Sequence, residues 1–67
     1  MQLTINGEMR SVPDSTHSVA DLVLALKLDM RQVALERNQE IIPRSLYAEA
    51  PIADGDRIEI VSFIGGG

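Results

Sequence analysis

The sequence contains no cysteine. That excludes a disulfide framework, a thiol nucleophile and any sulfur carried on a cysteine side chain. Small domains outside the cell often rely on disulfides, so the absence fits a cytoplasmic protein. There is a single histidine, His17. Without cysteine or a second histidine, no zinc-type cluster assembles around it, and it reads as a solvated loop residue. Long hydrophobic runs are also missing. The longest aliphatic stretch is Leu22-Val-Leu-Ala-Leu26, far below the roughly 20 residues of a membrane span. The N-terminal Met1-Gln-Leu-Thr-Ile-Asn6 lacks a basic segment followed by an apolar run, so no signal peptide is expected. No phosphate-binding loop is present, which excludes ATP chemistry by the chain itself. Basic charge is scarce: Lys and Arg total 6 against 10 Asp and Glu, a net charge of −4. That balance argues against nucleic acid. It suits a partner with a basic docking face.

What remains is one small domain of 67 residues with an ordinary hydrophobic content of 45%. A chain of this length buries about 60% of its unfolded surface. Its most unusual stretch is the end, Ile64-Gly65-Gly66-Gly67, placed straight after the strand-like Arg57-Ile-Glu-Ile-Val-Ser-Phe-Ile64. Glycine permits close approaches that a Cβ forbids. Ile64 to Gly67, fully extended, reaches roughly 13 Å. Such a thin end can enter a narrow tunnel and deliver its carboxylate to a partner's active site. A C-terminal carboxyl titrates at about 3.3–3.7 and is ionised at neutral pH. It is a poor electrophile until activated, most simply as an acyl-adenylate. The competing reading is a frayed terminus without function. The division expected is a domain over 1–64 and a flexible glycine tail over 65–67.

Gln2 to Asn6 alternates polar and apolar, with Leu3 and Ile5 on one face. Asn6-Gly7 predicts a tight hairpin, with Met9 to Val12 returning and Pro13 ending the strand. Ser18 and Asp21 form a capping pattern ahead of Val19, Leu22, Val23 and Leu26, one helical stripe ending near Lys27. Leu24 lies off the stripe, where part of the flank is expected to be covered too. Val33 to Arg37 and Glu40 to Ile42 are short strands around an Asn38-Gln39 turn, and Pro43 stops the second. Arg44 to Ala50 is an irregular or helical turn carrying Leu46 and Tyr47, the latter a satellite core residue. Ala53-Asp54-Gly55-Asp56 is a turn that lacks the further ligands of a calcium loop. Arg57 to Ile64 is the final strand. Arg37, Arg44 and Arg57 read as surface charges, and Met1, Met9 and Met30 as apolar filler. The fold class is α+β, a mixed sheet of four or five strands with one helix on one face. In the last strand Ile58 and Ile60 share the core-facing parity. Val61 and Phe63 have the opposite parity. They form a partner-docking patch with Ile64, or they are buried by a local twist.

These segments together resemble the ThiS family, the sulfur carriers of thiamine biosynthesis, over nearly the whole length. The stretches that carry the resemblance are Met1-Gln-Leu-Thr-Ile-Asn-Gly7, Val19-Ala-Asp-Leu22, Val33-Ala-Leu-Glu-Arg-Asn38, Ile42-Pro-Arg-Ser45 and Asp54-Gly-Asp-Arg-Ile-Glu-Ile-Val61, with the terminal Gly66-Gly67. Two departures are the family's common glycine where Gln39 stands, and the extra Gly65. The resemblance implies a ubiquitin-like β-grasp fold. It implies that a ubiquitin-activating-like adenylating enzyme uses ATP and magnesium to convert the Gly67 carboxylate to an acyl-adenylate. Sulfur from a donor system, originating in cysteine, then replaces the adenylate to give a thiocarboxylate, and thiazole synthase takes that sulfur for the thiazole ring. Gly65 and Gly66 would thread into the partners' active sites. The carrier would be a co-substrate, monomeric when free and binding no cofactor of its own. Related readings are a molybdopterin synthase small subunit, a protein modifier joined through Gly67, and a plain binding module with an inert tail.

Overall fold

The computed structural model describes residues 1–63. The expected boundary at residue 64 and the tail at 65–67 lie outside the described residues. The chain opens with strands β1 (Gln2–Ile5) and β2 (Glu8–Ser11) and helix α1 (Val19–Ala25). Strands β3 (Val33–Arg37), β4 (Glu40–Ile42) and β5 (Arg57–Ser62) follow, with short 3₁₀ turns at Met30–Gln32 and Arg44–Leu46. The strands form one sheet in the order β2–β1–β5–β3–β4. β5 runs parallel to β1 and antiparallel to β3. The last strand in sequence is thus the middle strand in space, as in a β-grasp fold.

Both hairpins turn through the left-handed region. Asn6 and Gly7 sit at φ 50° and 83°, and Asn38 and Gln39 at 50° and 70°. Positive φ at both central residues matches the twist of the flanking strands. Gln39, with its Cβ, holds a conformation that glycine adopts without strain. The first hairpin returns over Glu8–Ser11, one residue earlier than the expected Met9–Val12, because the turn uses only Asn6 and Gly7.

Helix α1 starts as its residues dictate. The Ser18 hydroxyl accepts from the Asp21 N–H at 3.1 Å, and the Asp21 carboxylate accepts from the Ser18 N–H at 3.2 Å. This reciprocal box satisfies helix N–H groups that have no partner within the helix. The helix stops earlier than expected, at Ala25. Lys27 turns left-handed at φ 60°, its N–H bonding the Leu24 carbonyl at 2.9 Å and that of Leu28 the Val23 carbonyl at 3.0 Å. Those two bonds are a Schellman closure. Lys27 therefore serves as the reversal residue, beyond the last helical turn where its charge was expected to act.

Val19, Leu22 and Val23 are buried and face Leu3, Ile5, Val33, Leu35 and Ile58 of the sheet, with Val12, Tyr47 and Ile52 closing the edges. Several expectations are corrected here. Tyr47 is 1% exposed and belongs to the core proper, its hydroxyl reaching the Val33 carbonyl at 3.5 Å. Leu24 projects into solvent, as do Met9 and, in part, Met30. Met9 lies opposite Thr4 on the sheet face away from the helix, so the helix cannot cover it. Among the described residues no helix is long and apolar enough to cross a membrane.

Candidate functional site

The root of the tail is strand β5, and the surrounding chain holds it from both flanks. On one side the Asn6 side chain accepts from the Ile60 N–H at 2.8 Å and donates to the Ile60 carbonyl at 3.2 Å. This amide carries the β1–β5 pairing past the point where β1 has already turned away. On the other side Asn38 accepts from the Arg57 N–H at 2.9 Å through its side chain, and its own N–H bonds the Arg57 carbonyl at 2.7 Å. Each hairpin-turn asparagine is thus also a clamp on the central strand. Those second roles are not visible in local sequence.

Asp56, just before β5, anchors the strand's start. Its carboxylate accepts from Arg37 Nε at 2.7 Å, Asn38 Nδ2 at 3.1 Å and the Ala53 N–H at 2.8 Å. Burial pushes the carboxyl's pKa up, but the Arg37, Ala53 and Asn38 donors outweigh it and hold the value below the usual carboxylate range. Arg37 is therefore a structural ion-pair partner, correcting its reading as a free surface charge. At the far end the Phe63 N–H donates to the Gln32 carbonyl at 2.8 Å, so the described backbone stays tied to its neighbour up to Phe63.

The sheet face away from the helix is open. Pairing sets Ala34 against Val61 and Glu36 against both Glu59 and Ile41. Val61 is 61% exposed, Phe63 60% and Ile41 72%. The alternative that a twist buries Val61 and Phe63 is overturned: the alternation of β5 persists, with Ile58 buried and Ile60 packed against the core. A shallow groove lies between Ala34, Ile41 and Val61, edged by Glu36 and Glu59. Ile64, Gly65, Gly66 and Gly67, the other members of the expected site, lie outside the described residues. Among the described residues no group of three potential metal-ligating side chains is found, and the side chains around the groove include no nucleophile paired with a base.

The ThiS family model matches residues 3–67. The sulfur carrier protein ThiS of Bacillus subtilis is 40% identical over 65 residues, covering 97% of this chain and 98% of that protein. A thiazole synthase of Paramagnetospirillum magneticum is 52% identical over 67 residues, which is 100% of this chain but 20% of the synthase. The chain therefore spans only a fifth of that relative's length. The crystal structure of the thiamine biosynthesis protein ThiS from Geobacter metallireducens superimposes with a TM-score of 0.83 at 35% identity, covering 100% of both chains. With its β-grasp topology shared by that structure, and its sequence matched from Leu3 to the last glycine, this chain belongs to the ThiS family.

Proposed function

We infer that the protein is a sulfur carrier for the thiazole ring of thiamine and that the Gly67 carboxylate is its reacting group. The observation that carries this reading is the match to a carrier over 97% of this chain and 98% of that protein, joined to a sequence in which three glycines stand two residues beyond the central strand. A partner adenylating enzyme, using ATP and magnesium, makes an acyl-adenylate at Gly67 and releases pyrophosphate. A sulfur nucleophile at the oxidation level of sulfide then attacks the Gly67 carbonyl carbon, AMP leaves, and a thiocarboxylate remains. Thiazole synthase is the acceptor. A thiazole synthase that contains a region matching this entire chain supports that assignment. The carrier supplies no catalytic group and is regenerated as the carboxylate, so it is a co-substrate in the cytoplasm. Gly65 and Gly66 thread the partners' tunnels, while Val61, Phe63 and Ile64 dock at their mouths.

The test is intact mass spectrometry of the full chain after incubation with adenylating enzyme, ATP, magnesium and a sulfur donor. The expected result is exchange of one oxygen for one sulfur, lost again on addition of thiazole synthase and its substrates. Conjugates on target lysines would identify a modifier instead, and sulfur passed only to a molybdopterin precursor would move the carrier to that pathway. A chain lacking Gly67 that still supports thiazole formation would overturn the assignment.

A further inference from the structure

The exposed sheet face carries an arrangement that folding alone does not favour. Glu36 of β3 and Glu59 of β5 stand directly opposite each other in the antiparallel register. Like charges in that position destabilise a sheet. Among the described residues neither carboxylate makes an ion pair. Arg37 is committed to Asp56, Arg31 pairs with Asp29, and Arg57, two residues from Glu59 on the same face, makes no ion pair with either glutamate. Between and beside the two carboxylates lies the apolar groove of Ala34, Ile41 and Val61.

We propose that this groove receives a lysine or arginine side chain from thiazole synthase, the enzyme in which a region matching this whole chain occurs, its methylene stem on Ala34, Ile41 and Val61 and its cationic head between Glu36 and Glu59. The chemistry fits on both counts. Long basic side chains bury their stems along apolar surface while the charge stays at a polar rim. A guanidinium or ammonium held between two carboxylates relieves their mutual repulsion, so binding recovers what folding gave up. Val61, on the same strand as Glu59, and Phe63, just past its end, join the groove to the tail root, so the cation would set the register in which the tail enters. This deepens the docking role given above to Val61 and Phe63 and rests on it.

The test is the isosteric Glu36→Gln/Glu59→Gln double variant of the full chain. Its urea unfolding midpoint is measured beside calorimetric titrations with the adenylating enzyme and with thiazole synthase, at low and at raised salt. Expected are a midpoint equal to or above wild type and an affinity at least tenfold weaker for thiazole synthase. The wild-type salt dependence should flatten in the variant. Unchanged affinity for thiazole synthase, or a loss confined to the adenylating enzyme, overturns the proposal. So does a weakened affinity that accompanies a lower midpoint, which marks a structural role. If the sulfur-exchange assay on wild type fails, the carrier reading falls by itself, because these titrations require no chemistry.

Discussion

Replacing Asp56 with alanine removes the acceptor for three donors at once: Arg37 Nε, Asn38 Nδ2 and the Ala53 N–H. Each neutral donor left without a partner costs about 1 kcal/mol, and the charged one about 1.5–3 kcal/mol. The Arg37 side chain keeps 25% of its surface exposed, so water recovers part of that last contribution. The expected loss is about 3 kcal/mol. A domain of 67 residues is stable by roughly 3–10 kcal/mol, so the variant gives up about 30% or more of its margin. Its thermal midpoint should fall by about 12–24 °C. Urea unfolding followed by far-UV circular dichroism measures the loss directly. A loss below about 0.5 kcal/mol would refute the view that this carboxylate anchors β5. The same group sets a pH dependence. Its folded pKa lies below the ordinary aspartate value, so its contribution is complete above the unfolded pKa of about 3.9 and disappears as pH falls through the lower folded value. Asp56→Asn should flatten the acid limb of the stability curve. Some slope should remain, because Asp21 and Asp29 also titrate low, through backbone donation from His17 to the first and the Arg31 side chain to the second.

Gln39→Gly relieves the left-handed backbone at φ 70° and should raise stability by about 1 kcal/mol, seen as a higher denaturant midpoint with unchanged slope. Ile58→Ala empties the centre of the core, where Ile58 is 0% exposed. The expected cost of about 2–5 kcal/mol leaves the domain partly unfolded at 37 °C by calorimetry. Phe63→Ala should weaken binding to the adenylating enzyme or thiazole synthase while costing less than about 0.5 kcal/mol of stability, since surface positions contribute little to folding. A large fall in melting temperature at unchanged affinity would contradict its docking role.

The strands and the helix were legible because their signals are local. Leu3 and Ile5 alternate, Asn6-Gly7 forces a turn, and Ser18 with Asp21 writes a helix start. The outward parity of Val61 and Phe63 could be counted from the sequence, but burial by a local twist stayed open until their exposure was seen. What escaped depends on partners far apart in sequence. Arg37 and Asp56 are 19 residues apart, and nothing near Arg37 marks it as paired. Asn6 bonds Ile60 across 54 residues, a role hidden behind its evident use as a turn residue. Tyr47 sits in a segment without periodicity, so its depth in the core is decided by where the 3₁₀ turn at Arg44–Leu46 is pinned. The opposition of Glu36 and Glu59 needs the register of two strands, which neither strand specifies alone.

The placement of β5 in the middle of the sheet also governs when the protein becomes whole during its synthesis. β1 and β3 each border β5, so while the ribosome still covers residues up to Ser62 the two halves have no common seam. Premature release before that point leaves two unjoined hairpins with open edges, prone to sticking to other chains. Only a nascent polypeptide that has delivered β5 joins β1 to β3 in one sheet.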